Sequence, residues 1–160
     1  MSPRTPSEPP ATPPSWTSTV GRTDVELDSR LSDELDVVNA AATPGIDAAQ
    51  ELTVRITDGE GALAAGISGW TWGVAAGIAM TWVRADARAA GLGARLLTDF
   101  EAEALRRGCR HVFVTSFTFQ APAFYERHGY VELARWPDVP RAGEADVHLR
   151  KILPGTGNSG

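Results

Sequence analysis

Lysine is almost missing from this chain: of 15 basic residues, 14 are arginine and one is Lys151, near the C-terminal end. A phosphate-loop lysine, or a Schiff-base lysine in the body of the fold, therefore has no residue to supply it. Cysteine is as scarce. The single Cys109 excludes an intramolecular disulfide framework and suits a reducing, cytoplasmic setting. Basic charge is in deficit, with a net charge of −5, which argues against nucleic acid as a partner and favours a cationic substrate. Long apolar runs are also absent. The longest, residues 61–80, is broken by Ser68, Thr71 and five glycines, short of the ~20 apolar residues that span a bilayer, so no membrane partner is expected. Prolines stand at the N-terminus where a secretory signal needs an apolar segment. Three histidines and one cysteine without ligand spacing predict no metal site.

What is present suffices for one ordinary core. At 160 residues and 42% hydrophobic, one domain is the natural count. Residues 1–15 hold six prolines among Ser, Thr and Glu, too little apolar surface to offset ordering entropy, and residues 154–160 are similar. Both read as disordered tails around a folded body over residues 16–153.

Leu27, Leu31, Leu35 and Val38 recur at helical spacing and predict a helix over residues 29–41, capped by Asp28 or Ser29. Residues 53–57 alternate as a strand and end in Asp58-Gly59, a hairpin signal, with partner strands over residues 62–72 and 77–83. Leu92, Leu96, Leu97, Phe100 and Ala104 mark one face of a helix that Gly108 ends. A strand over residues 111–118 reads as buried on both faces, and strand, helix, strand implies a parallel pair. Pro122 to Gly129 encloses a short helix, and two closing strands run over residues 130–136 and 144–152. The fold class is α/β of the α+β type: a mixed, mostly antiparallel sheet flanked by helices. Trp70 and Trp72 share a strand face and read as core.

Two segments carry the chemistry. Arg88-Ala89-Ala90-Gly91-Leu92-Gly93-Ala94 is a small-residue turn opening a helix, where unpaired backbone N–H groups and the positive helix end suit an anion. A dinucleotide fingerprint would need glycine at Leu96, and a Walker loop would need a lysine; neither is present. The second segment, Phe124-Tyr125-Glu126-Arg127-His128-Gly129-Tyr130, puts a phenol on a short helix. Phe124 and Tyr125 differ by ~100° around that helix, so one ring can face the core and the other a ligand.

Together these segments resemble the pyrophosphate-binding turn and tyrosine helix of the GCN5-related N-acetyltransferase (GNAT) family, and residues 108–110 with 118–125 are similar to a small single-domain subgroup of it. The Arg/Gln-x-x-Gly-x-Gly/Ala signature is met by Arg88, Gly91 and Gly93; Ala89 stands where many members have glycine, and Ala90 where a polar residue is common. The resemblance implies the acyl-CoA N-acyltransferase fold and acetyl-CoA as cosubstrate. It implies binding by Trp82, Val83, Arg88, Ala89, Ala90, Gly91, Leu92, Gly93, Ala94 and Gln120, with pantetheine between splayed parallel strands. Tyr125 takes the general-acid position: a phenol with pKa ~10 can protonate a thiolate whose conjugate acid lies near ~8.5 without ionising beforehand. The family also implies a homodimer.

An amine acceptor with pKa ~10.4 arrives protonated, and something must remove the proton. Family members often carry a glutamate on the strand before the turn, but Ile78-Ala79-Met80-Thr81-Trp82 has none, and the subgroup's frequent aspartate is Thr115 here. Glu26, Asp33, Glu34, Asp36, Thr115, Ser116, His128 and His148 remain as candidates. The sequence thus reads as an N-acetyltransferase acting on a primary amine of a small molecule or peptide by direct attack in a ternary complex. The missing glutamate keeps open a non-catalytic acyl-CoA-binding module, and the proline-rich tail an interaction protein.

Overall fold

A computed structural model describes residues 16–155. The tail expected over residues 1–15, and all but Pro154 and Gly155 of the one over residues 154–160, lie outside the described residues. The chain divides into two compact units, Met1–Leu35 and Asp36–Gly160. Helix α1, Val25–Ala42, crosses the division. It starts earlier than expected because Asp24, rather than Asp28 or Ser29, caps it: the Asp24 Oδ1 accepts the Leu27 N–H at 2.9 Å. None of its residues is buried.

The second unit is built on six strands: β1 Gln50–Thr57, β2 Leu63–Trp72, β3 Ala75–Val83, β4 His111–Phe117, β5 Val131–Pro137 and β6 Ala145–Ile152. Their order is β1-β2-β3-β4-β6-β5, and only β3 with β4 is parallel. Helix α2, Leu92–Arg106, supplies the crossover and α3, Pro122–Arg127, follows β4. The expected mixed sheet with helices is therefore present.

One sheet face carries Leu52, Ile67, Ile78, Val112, Val114, Val147 and Leu149 against Leu96, Leu97, Phe100 and Ala104 of α2. Burying each large side chain of that stripe contributes roughly 1.5–3 kcal/mol. A polar clamp adds to the join: Glu101 on α2 accepts the Lys151 ammonium at 2.6 Å and the Tyr130 hydroxyl at 3.1 Å.

Two readings of burial are corrected. β4 is not buried on both faces: Val112, Val114 and Ser116 are buried while Phe113 and Thr115 are exposed, the alternation of a strand with one covered side. Trp70 is 40% exposed, and Thr71 between the tryptophans is the buried residue. The β2 positions that face α2 have the parity of Ile67 and Thr71, so the Trp70 indole lies on the other face, over Gly77.

β2 and β3 approach most closely at Gly69. Pairing jumps from Ser68↔Met80 to Gly69↔Ile78, which leaves Ala79 as an extra residue in β3. A Cβ at position 69 would stand 1.9 Å from the Gly77 carbonyl oxygen, whereas one at position 66 would meet nothing closer than 3.8 Å. Gly69→Ala is expected to cost about 1–3 kcal/mol and Gly66→Ala within about 0.5 kcal/mol, read as denaturant midpoints. Equal shifts would remove the close approach as a constraint.

Candidate active site

Parallel pairing of β3 with β4 lasts four residue pairs, from Ala75↔His111 to Ile78↔Val114. β3 continues to Val83 and β4 to Phe117, so the strands part. A groove of about 710 Å³ opens there, lined by residues 78–83 of β3 and 114–116 of β4. The facing backbone edges beyond Ile78 and Val114 have lost their sheet partner, which suits an extended, amide-bearing ligand that can take a strand's place.

At one end the groove meets the turn into α2. Residues Ala85–Ala90 form a 3-10 helix, and Gly91 at φ 72° passes the chain into α2 with no side-chain cap. The first bond into α2 runs from the Arg95 N–H to the Gly91 carbonyl at 3.1 Å, leaving the N–H groups of Leu92, Gly93 and Ala94 without a helical acceptor. Arg88, Gly91, Gly93 and Ala94 line the groove. Ala89 and Ala90 do not: the 3-10 helix turns them to solvent. Leu92 packs its side chain on the core and can contribute only its backbone.

The turn is anchored from behind. Arg84 donates to Asp58 and Asp86, each at 2.7 Å. Those hydrogen bonds hold the guanidinium above its ordinary pKa, and the Arg84 bond holds the Asp58 and Asp86 carboxyls below theirs.

Opposite the turn stands α3. The residue that leads into it is held by Ser116, whose Oγ accepts the Ala121 N–H at 3.2 Å. A Cβ at Gly93 would meet the Phe124 ring at 3.1 Å, so α2 and α3 rest on each other there. The expected division between Phe124 and Tyr125 is not clean: both rings line the groove, edge to face at 5.2 Å, and Tyr125 is the more buried. The Tyr125 hydroxyl donates to Thr81 Oγ1 at 3.2 Å. Burial pushes the phenol's pKa up, and the Thr81 bond opposes part of that rise. Such a phenol stays protonated at neutral pH, as a proton donor must.

Trp82 and Val83 also line the groove, as does Gln120, whose Oε1 accepts the Phe117 N–H at 3.0 Å. Of the other candidates, Thr115 and Ser116 are in the lining, while His128 donates its Nδ1–H to the Phe124 carbonyl, 2.7 Å away. Among the described residues Arg88 is the only charged side chain of the lining. Thr81 and the Ser116 bond were not foreseen, since each acts through a partner distant in sequence or across a turn. No group of three or more His, Cys, Asp or Glu among the described residues is placed to hold a metal ion.

Comparison with known proteins matches this architecture. The family model for the acetyltransferase (GNAT) domain matches residues 50–132. A blasticidin-S acetyltransferase of Streptomyces morookaense is 44% identical over 84 residues, which cover 50% of this chain and 60% of that protein, so the match spans less than two thirds of the relative's length. An acetyltransferase crystal structure from Bacillus cereus aligns at 26% identity with a TM-score of 0.72, over 85% of this chain and 98% of that one. An aminoglycoside 6'-N-acetyltransferase complexed with coenzyme A shares the fold at 18% identity and TM-score 0.60, over 88% and 98%.

The chain has two tyrosines, Tyr125 and Tyr130, and burial raises the pKa of both, Tyr130 also through Glu101. A phenol raised in the folded state contributes stability present below its unfolded pKa of ~10 and lost as pH rises above it. The phenolate absorbance band is therefore expected to stay silent past pH ~10, where a free phenol titrates, and to emerge with alkaline unfolding. A folded protein titrating near ~10 would contradict the buried placement of these rings.

Proposed function

The chain belongs to the GNAT acetyltransferase family, and on that premise we propose that it transfers the acetyl group of acetyl-CoA to a primary amine of a cationic small molecule or peptide, by direct attack in a ternary complex. The observation that carries the proposal is the parting of β3 from β4 beside the uncapped start of α2, with the Tyr125 phenol inside the same groove. In this reading Leu92, Gly93 and Ala94 offer N–H groups to the CoA pyrophosphate, helped by the helix dipole and Arg88. Ala89 and Ala90 take no part beyond shaping the turn. Trp82 and Val83 offer backbone groups to the pantetheine, with Gln120 at its side. Tyr125 gives the departing sulfur its proton. A reducing, cytoplasmic setting is part of the same reading: Cys109 is buried, and burial pushes its thiol pKa up, which keeps it unreactive.

The acceptor is proposed to be an amine-bearing cationic antibiotic such as blasticidin S. Two observations support that class: the acidic balance of the chain and the name of the relative from Streptomyces morookaense. The absence of a carboxylate from the described groove lining favours a second reading, an acyl-CoA-binding module without turnover. Free thiol release from acetyl-CoA in the presence of cationic amines separates them, since a module releases none.

Gly93→Asp is expected to weaken acetyl-CoA binding by at least about 10-fold, because it sets a carboxylate at the proposed anion seat and presses on Phe124. Calorimetry reads the outcome; unchanged affinity would refute the seat. Tyr125→Phe is expected to lower turnover about 10²-fold at nearly constant acetyl-CoA affinity. Equal turnover would take the phenol out of the mechanism.

A further inference from the structure

The proposed transfer needs a group to take the acceptor's proton, and no carboxylate lines the described groove. The sheet face turned away from α2 offers one. Thr115, on the exposed face of β4, lines the groove. Its register partner on β6 is His148, and two residues along, Asp146 pairs with Phe117. Residues directly opposite in an antiparallel pair share a face, with Cβ atoms about 5 Å apart. His148 thus stands one side chain away from the groove wall, on the sheet face turned away from α2.

Its imidazole is oriented. Nε2 lies 3.1 Å from Asp146 Oδ2, and Trp136 of β5 packs edge-on against the ring at 6.0 Å and 73°. An Asp carboxylate at Nε2 fixes that nitrogen as the N–H donor and leaves the Nδ1 lone pair to accept a proton. Asp146 Oδ1 is buried without a hydrogen-bond partner among the described residues, so the carboxylate has unused capacity to stabilise an imidazolium. The other charged group along this face of β6 is Arg150; the register partners of His148, Thr115 on β4 and Ala134 on β5, carry no titratable group.

The geometry points to His148 as the general base that deprotonates the acceptor ammonium, with Asp146 as its positioning residue. This assignment rests on the proposed acetyl transfer. The ammonium gives one proton to His148 Nδ1, which passes it to solvent. The freed nitrogen lone pair forms the C–N bond to the acetyl carbonyl carbon, and the C–S bond breaks with its electron pair on sulfur. Sulfur takes the Tyr125 proton. The nitrogen sheds its second proton to water, and water returns one to Tyr125, so the sum is one amide, one thiol and one proton released.

The test is thiol release from acetyl-CoA with blasticidin S and a panel of simple diamines, from about pH 6.5 to 9.5, in the wild type, His148→Gln and Asp146→Asn. His148→Gln is expected to lower kcat/KM by about 10²-fold or more near neutrality, with acetyl-CoA affinity unchanged by calorimetry. The deficit is expected to shrink as pH nears the amine pKa, where free amine forms without a base, and added imidazole is expected to restore part of the rate. Asp146→Asn is expected to cost about 10-fold and to move the acidic limb of the profile. A deficit of equal size across the pH range, or none, overturns the base assignment alone. Acetyl-CoA binding with no wild-type thiol release on any amine overturns the transfer reading, and the base with it.

Discussion

Everything at the groove depends on two neighbouring strands being made to separate. Parallel strands left to themselves continue their ladder, because each unpaired backbone group gives up a hydrogen bond. Here several devices hold β3 off β4 after Ile78. The extra residue at Ala79 breaks the regular register with β2. Beyond it, the N–H of Arg84 bonds to Ala64, and its guanidinium reaches Asp58 and Asp86, so the end of β3 is tied back toward the β1–β2 hairpin. At the far end the start of α2 meets the Phe124 ring of α3 at Gly93, beside Val83. The exposed strand edges are the result, and the ligand-binding capacity of the fold lies in those edges.

The separation also needs a rigid frame, which α2 supplies. Its apolar stripe is fully buried at Leu96, Leu97 and Phe100, and Glu101 on the same helix binds Lys151 and Tyr130. The lone lysine of the chain is thereby committed to joining α2 to β6. That strand carries Asp146 and His148, while the N-terminal end of α2 carries the open N–H groups. Removing one member of a largely buried ion pair leaves an uncompensated charge, commonly at a cost of about 3–5 kcal/mol. The open end of α2 and the strand β6 therefore share one mechanical reference.

Elements with strong periodicity were legible in the sequence, and most strand and helix bounds agree to within a few residues. The glycine turn and the tyrosine helix were legible because they are local. Errors arose where a local pattern has two solutions. Asp24 and Asp28 both offer an N-cap carboxylate to α1, and spacing alone does not choose between them. Trp70 and Trp72 share one strand face, but which face meets α2 is set by the parity of Ile67 and Thr71. What the sequence hid was pairing over distance. Thr81 meets Tyr125 across 44 positions, and the significance of Asp146-x-His148 appears only when β6 lies beside Thr115.

The contact of Gly93 with Phe124 joins the anion seat to the helix that holds Tyr125. A side chain at position 93 would press on the Phe124 ring at 3.1 Å, so the two positions are coupled. His148 and Asp146 stand on β6 and Trp136 on β5, not on the elements that make that contact. On the proposed assignment, acceptor choice can change through β5 and β6 while the Gly93–Phe124 contact is kept.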